Sequence, residues 1–178
     1  PADRVGFHFK WLDACAEAND SKNELRHVNE GLRIAKEAGM RDRMGWAILY
    51  RGSAYQTSGD YFAALRDFDE ARRMAVELND SALLLRVRLE VATALIELGA
   101  HDECNREVDA ICSEYSSQLS VWNQNFILFT RAELILLKGR WREGREMLET
   151  SRGGGIPLPL PAGAVEARRS EVGLARRG

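Results

Sequence analysis

Three histidines and three cysteines are the side chains best suited to metal or nucleophilic chemistry, but their spacing builds no site. They are His8, His27, His101, Cys15, Cys104 and Cys112. His101 and Cys104 lie three residues apart near a predicted helix start, yet two ligands do not complete a zinc site. The sequence contains no His-Glu-x-x-His, Cys-x-x-Cys or glycine-rich phosphate loop. We therefore expect no enzyme, no metal and no cofactor.

The carboxylates Glu90, Glu97 and Glu133 form a second candidate group, because all three fall on helices predicted to be the first of a pair. One interpretation is an acid pair for proton transfer. Nothing in the sequence indicates a shifted pKa at these carboxylates. An acidic patch that accepts a basic or polar partner is the favoured interpretation.

The elements that must position these residues are clearest between Trp46 and Ala71. This stretch predicts two amphipathic helices that fold back on each other at residues 58–60. Gly59 can adopt the left-handed conformation that ends a helix. Asp60 can cap the next helix by accepting hydrogen bonds from its first backbone N–H groups. The predicted inner stripe of the second helix is Ala64, Phe68, Ala71 and Ala75.

The same pattern recurs every 40 residues, which indicates stacked copies of one helix pair. The turn Gly59-Asp60 recurs as Gly99-Ala100 and Gly139-Arg140, with Asn19-Asp20 one period earlier. Five further columns match in size. Gly52 aligns with Leu12, Ala92 and Ala132; Tyr55 with Cys15, Leu95 and Ile135; Ala64 with Glu24, Cys104 and Gly144; Phe68 with Val28, Val108 and Leu148; Ala71 with Gly31, Ile111 and Ser151. Leu12 and Glu24 depart from their columns.

The second copy resembles the tetratricopeptide repeat family in spacing and residue type, with a period longer than the usual ~34 residues. The matching residues are Gly52, Tyr55, Gly59, Asp60, Tyr61, Ala64, Phe68 and Ala71. Arg51 stands where the family prefers leucine. The resemblance implies an all-α solenoid of four antiparallel helix pairs with a right-handed superhelical bend. Its repeats would cover residues 1–40, 41–80, 81–118 and 119–152, and residues 153–178 would be a Gly/Pro-rich linker and basic tail.

The resemblance also implies a function, namely that the first helix of each pair lines a concave groove for a protein or peptide partner. Carried over position by position, the groove residues are Phe9, Lys10, Asp13, Trp46, Leu49, Tyr50, Ser53, Gln56, Arg86, Leu89, Glu90, Thr93, Glu97, Phe126, Phe129, Thr130 and Glu133. For Trp46, Phe126 and Phe129 the alternative is burial between helices. An alternative function is a regulatory or sensor module of a larger bacterial transcription regulator or signalling ATPase.

The charge and hydropathy of the sequence limit the classes of partner further. The net charge is -2, and five arginines against two glutamates in residues 151–178 leave the remaining chain at -5. An acidic body disfavours nucleic acid, and no apolar run approaches the ~20 residues of a membrane span. We therefore expect a cytoplasmic scaffold with no nucleic acid and no membrane. Residues 119–137 and the tail 156–177 are candidate self-association elements. A solvated charged face is expected on the second helix of the second copy, formed by Arg66, Asp67, Asp69, Glu70, Arg72 and Arg73.

Overall fold

The computed structural model describes residues 21–117 and 119–152, and throughout these ranges the regular structure is helical with no strand. The helices are α1 (Ser21–Glu37), α2 (Arg41–Thr57), α3 (Tyr61–Leu78), α4 (Ser81–Glu97), α5 (His101–Tyr115), α6 (Val121–Leu137) and α7 (Trp141–Arg152). Each begins 20 residues after the previous one, at 21, 41, 61, 81, 101, 121 and 141. The predicted all-α class is confirmed.

Most of these helices end in the same way, which explains the regular spacing. At the end of α2 the Gly59 N–H donates to the Gln56 carbonyl, and the Asp60 N–H donates to the Tyr55 carbonyl, both at 2.9 Å. This pair of bonds satisfies carbonyls that the helix leaves open, and it needs a left-handed residue at position 59. Gly59 has φ 85°, and Asn79 takes the same role after α3 with φ 52°. The predicted turns at 59–60, 99–100 and 139–140 all lie between consecutive helices.

The chain divides into two compact units, one ending at residue 118 and the other beginning at residue 119. In the described part of the first unit, α1 packs on α2, α2 on α3, α3 on α4 and α4 on α5. The one further contact among these five helices is between α2 and α4. A core centred on Phe68 joins α2, α3 and α4, with Leu83 and Val87 fully buried against it.

Small residues set the closest approach within each hairpin. A Cβ on Gly52 of α2 would lie 2.5 Å from Cε1 of Phe68 and 3.3 Å from the Ala64 carbonyl oxygen of α3. Between α4 and α5 the Cys104 thiol donates to the Ala92 carbonyl at 3.2 Å. The paired helices therefore approach most closely at their small residues. These are Gly52 and Ala92 on the first helix of each pair, and Ala64 and Cys104 on the second.

The second unit contains the hairpin of α6 and α7, which pack on each other. Here the glycine lies on the second helix. A Cβ on Gly144 would lie 2.6 Å from Leu136 Cγ and 3.2 Å from the Ala132 carbonyl oxygen. Ala132 and Gly144 belong to the same two small-residue columns, so this hairpin also crosses at the position that the sequence alignment predicts.

The structure contradicts the assignment of Asp67 to a solvated face. Asp67 is only 7% exposed. Its carboxylate accepts two hydrogen bonds from Arg51, from Nε at 2.7 Å and from Nη2 at 2.8 Å. Asp67 and Arg51 thus form an ion pair that links α2 to α3, whereas Asp69, Arg72 and Arg73 on the same helix are exposed as expected.

Several expectations fall outside the described residues. They include residues 1–20 of the first predicted repeat, with its turn at Asn19-Asp20, and the Gly/Pro-rich linker and basic tail at 153–178. Among the described helices, none combines the length and the apolarity that crossing a bilayer requires.

Candidate functional site

Two adjacent helices carry matching rows of partly exposed side chains. On α2 the row is Trp46, Tyr50 and Ser53, and on α4 it is Arg86, Glu90 and Thr93, each residue 40 positions after its counterpart. Spacings of four and three residues place each row on one helical face. Glu90 is buried, and the other five side chains are half-buried. We call these six residues the α2–α4 band.

The aromatic end of the band is fixed by the start of α4. Trp46 Nε1 donates to Asp80 Oδ2 at 3.2 Å. Asp80 is also the N-cap of α4, where Oδ1 accepts from the Leu83 N–H at 2.9 Å. The Trp46 and Tyr50 rings lie with centroids 6.3 Å apart and planes tilted by 37°. The N-cap therefore orients the indole, and the indole supports one side of Tyr50.

The polar part of the band repeats the same local geometry on both helices. The Ser53 hydroxyl donates to the Leu49 carbonyl, and the Thr93 hydroxyl donates to the Leu89 carbonyl, each at 3.3 Å. Bonding to the carbonyl four residues back leaves hydroxyl lone pairs able to accept. Arg86 pairs with Glu90 one turn further along α4. The band thus combines aromatic surface, hydroxyl acceptors and an ion pair.

Other predicted groove residues lie beneath or beside this band. Leu49 and Leu89 are 0% and 1% exposed, so they contribute to the core and not to an accessible surface. Gln56 is half-buried in the last turn of α2. Glu97 is exposed at the end of α4, where its Oε2 accepts a long hydrogen bond of 3.4 Å from the Tyr61 hydroxyl.

The remaining predicted residues lie outside the described part of the first unit. In the second unit Phe126, Phe129 and Glu133 are half-buried on α6, and Thr130 is 2% exposed. Phe9, Lys10 and Asp13 lie outside the described residues. The described candidate site in the first unit is therefore formed by α2 and α4.

Glu24 in the first turn of α1 was not among the predicted site residues. It is 5% exposed, and its Oε2 is buried without a hydrogen-bond partner. Burial first, and the charge of Glu90 second, raise the pKa of Glu24 to about 7. Position in the first turn favours the ionised form, so desolvation outweighs the helix dipole. One feature of the sequence distinguished Glu24. In the 40-residue alignment it occupies a position that is small in the other three copies, where the residues are Ala64, Cys104 and Gly144.

No cluster of three or more His, Cys, Asp and Glu side chains with metal-binding geometry occurs in the described ranges. Two open clefts lie on helix surfaces, one along α1 beside Arg33 and one at the start of α7 beside Arg142. In both clefts the arginine pairs with a carboxylate of its own helix, Glu30 or Glu146 respectively. Intrahelical ion pairs of this kind are ordinary features of exposed helices, so neither cleft assembles groups for chemistry.

Comparison with known proteins adds no functional assignment. No protein-family model matches the chain, and no curated protein sequence matches it significantly.

Proposed function

We propose that this protein is a non-enzymatic interaction scaffold, a tetratricopeptide-like solenoid that binds a peptide or protein partner on the α2–α4 band. The observation that carries the proposal is the pair of matching rows on two helices in contact. Partly exposed tryptophan, tyrosine and arginine side chains are the types that dominate binding energy at protein interfaces. In the band, Trp46, Tyr50 and Arg86 supply all three.

The contact pattern supports the solenoid part of the proposal. Among α1 to α5, helices touch their neighbours in the chain, and α2 also touches α4. In a stack of helix pairs, the first helices of successive pairs lie side by side, and each repeat contacts only its neighbours. The crossings at Gly52/Ala64 and Ala92/Cys104 add to this support, since both fall on the 40-residue period.

The chemistry of the band favours a partner with both apolar and polar groups. The indole and phenol rings offer flat apolar surface with hydrogen-bonding edges. The Ser53 and Thr93 hydroxyls can accept from a backbone N–H. An extended peptide presents both kinds of group, because alternate side chains and backbone amides follow one another along its length.

The test is selection of peptides from a random 12-residue library against the full chain, followed by affinity measurement on variants. Tyr50→Ala combined with Glu90→Gln is expected to weaken the selected peptides at least ten-fold. The matched control is Phe62→Ala on α3, which removes an aromatic ring that is 77% exposed outside the band. Circular dichroism establishes that the variants keep their helical content.

Two results would contradict the proposal. One is a library that yields no saturable binder. The other is a set of binders whose affinity falls with Phe62→Ala but is unchanged by the paired substitution in the band. In the second case the outer face of α3, not the α2–α4 band, is the binding surface.

A further inference from the structure

The rings of Trp46 and Tyr50 form one edge of the α2–α4 band, and their spacing limits what can stack on them. The ring centroids lie 6.3 Å apart, with the planes tilted by 37°. The two residues are one turn apart on α2, so this spacing runs along the helix. Because Asp80 holds the indole through a hydrogen bond of 3.2 Å, the aromatic edge is organised within the protein itself.

The band fits one of the common modes of peptide recognition better than the others. Addition of a β-strand needs an open strand edge, and residues 21–117 contain no strand. A bound helix needs an apolar groove for its anchors, but Leu49 and Leu89 beneath the band are only 0% and 1% exposed. A polyproline II segment docks against aromatic rings. The band therefore favours a proline-rich ligand.

The chain carries a segment of this composition. Residues 156–161 read Ile-Pro-Leu-Pro-Leu-Pro. Each proline fixes its φ at the polyproline II value, and that conformation rises about 3.1 Å per residue. Alternate prolines are then about 6.2 Å apart, which matches the 6.3 Å between the Trp46 and Tyr50 rings. Successive prolines can thus each meet one ring.

The hydrogen-bonding groups of the segment also match those of the band. Proline has no N–H, so residues 157–161 offer two backbone donors, on Leu158 and Leu160. The Ser53 and Thr93 hydroxyls donate to carbonyls of their own helices. Each hydroxyl keeps lone pairs that can accept. Two donors on the segment therefore meet two acceptors on the band.

We propose that the α2–α4 band of one copy of this protein binds residues 156–161 of a second copy. The proposal rests on the proposed function and names the ligand class, a proline-rich segment in the polyproline II conformation. The band belongs to the unit that ends at residue 118, and the segment lies beyond that unit. A ligand whose φ angles are already fixed loses little backbone freedom on binding, so a short segment suffices.

The test is an NMR dilution series of the full chain that follows the indole N–H of Trp46. We expect its signal to move along a saturable curve as protein concentration rises, because the site fills when copies associate. The triple variant Pro157→Ala/Pro159→Ala/Pro161→Ala should weaken this self-association at least ten-fold. The substituted residues lie outside α1 to α7, so circular dichroism should show the helical content of wild type.

Further variants locate the contact. Tyr50→Ala removes one of the two rings and should also weaken self-association at least ten-fold. Arg176→Ala/Arg177→Ala alters the same tail but keeps its prolines, so this matched control should follow the wild-type curve. A blocked synthetic peptide with the sequence of residues 155–162 should shift the Trp46 signal of the triple proline variant saturably.

Three results would overturn the proposal. The first is a Trp46 signal that does not depend on protein concentration, which means either an empty band or a segment supplied by the same copy. The second is a triple proline variant that associates as strongly as wild type, and the third is a synthetic peptide that does not bind. Failure of the scaffold function is distinguishable, since library peptides without proline that bind the band would support the scaffold and remove only the proline-rich ligand.

Discussion

The guanidinium of Arg51 donates two hydrogen bonds to the carboxylate of Asp67, at 2.7 and 2.8 Å, across the interface between α2 and α3. The Arg51 side chain is 22% exposed and that of Asp67 is 10% exposed. The pairing raises the pKa of Arg51. Bidentate geometry of this kind fixes both side chains, and it explains how a cation is accommodated between α2 and α3.

Removal of one partner of this pair is expected to destabilise the protein more than removal of both. Asp67→Ala leaves a mostly buried guanidinium unpaired, and we expect a loss of about 2–3 kcal/mol in unfolding free energy. The double variant Arg51→Leu/Asp67→Leu replaces the pair by apolar contacts and should lie within about 1 kcal/mol of wild type. Urea denaturation followed by circular dichroism measures both.

Asp69→Ala provides the control for that experiment. Asp69 pairs with Arg72 on the same helix, but both side chains are about half exposed, at 50% and 56%. Exposed pairs contribute little to stability because water screens them, so no measurable change is expected. A double variant at 51 and 67 that is as unstable as Asp67→Ala would show that the pair itself stabilises the fold.

Gly52→Ala is expected to destabilise the first unit by about 1–3 kcal/mol, because the added methyl group overlaps the Phe68 ring. The ring is fully buried and cannot move into solvent. At the equivalent positions of the other copies, alanine replaces Gly52 (Ala92 and Ala132). The position of Phe68 is then occupied by a smaller side chain, Val108 or Leu148. Adding Phe68→Leu to Gly52→Ala should therefore recover part of the loss. Thermal melts that rank the double variant below Gly52→Ala would contradict this account.

Asp80→Ala is expected to cost about 2 kcal/mol, roughly twice the effect of Asp60→Ala. Both residues cap a helix, since Asp60 accepts from the Ala63 N–H at 3.0 Å and Asp80 from the Leu83 N–H at 2.9 Å. Only Asp80 also holds the Trp46 indole. Asp80→Asn keeps a capping oxygen and should lose less than Asp80→Ala. Equal losses for the two alanine variants in chemical denaturation would show that the indole bond contributes nothing.

Glu24 is expected to make stability depend on pH between about 4.5 and 7. The ordinary pKa of a glutamate is 4.5, and burial followed by the charge of Glu90 raises that of Glu24 to about 7. In this window the folded state holds the proton more tightly than the unfolded state, so the unfolding free energy falls as pH rises. The contribution is fully present below about pH 4.5 and is lost by about pH 7, on the order of 3 kcal/mol in total.

The variant Glu24→Gln should remove that slope and be more stable than wild type at pH 8. Glu90 from α4 and its partner Arg86 are the charged groups that accompany Glu24, so they stay in place in this comparison. Glu70→Gln, an exposed glutamate on α3, is the control and should keep the slope. Denaturation curves at pH 5, 6, 7 and 8 measure the difference, and parallel curves for wild type and Glu24→Gln would refute the assignment.

Local residue chemistry determined the helices and the turns between them. The glycines at 59, 99 and 139 adopt positive φ, and Asp60 caps α3 as its side chain allows. The inner stripe of Ala64, Phe68 and Ala71 is fully buried. These features depend either on contacts between residues close in sequence or on the 40-residue repeat. Both can be recognised in a single amino-acid sequence.

Only the tertiary structure decided which polar side chains are buried. The helical period places Asp67 beside exposed charged residues of α3. In the structure Asp67 is mostly buried, and its carboxylate pairs with Arg51 on the neighbouring helix α2. Leu49 was predicted to line the groove, but close packing of α2 leaves it inaccessible. The environment of Glu24 is set by burial and by Glu90, 66 positions further along the chain. Burial and charge at such sites depend on which helices meet, and a one-dimensional pattern does not contain that information.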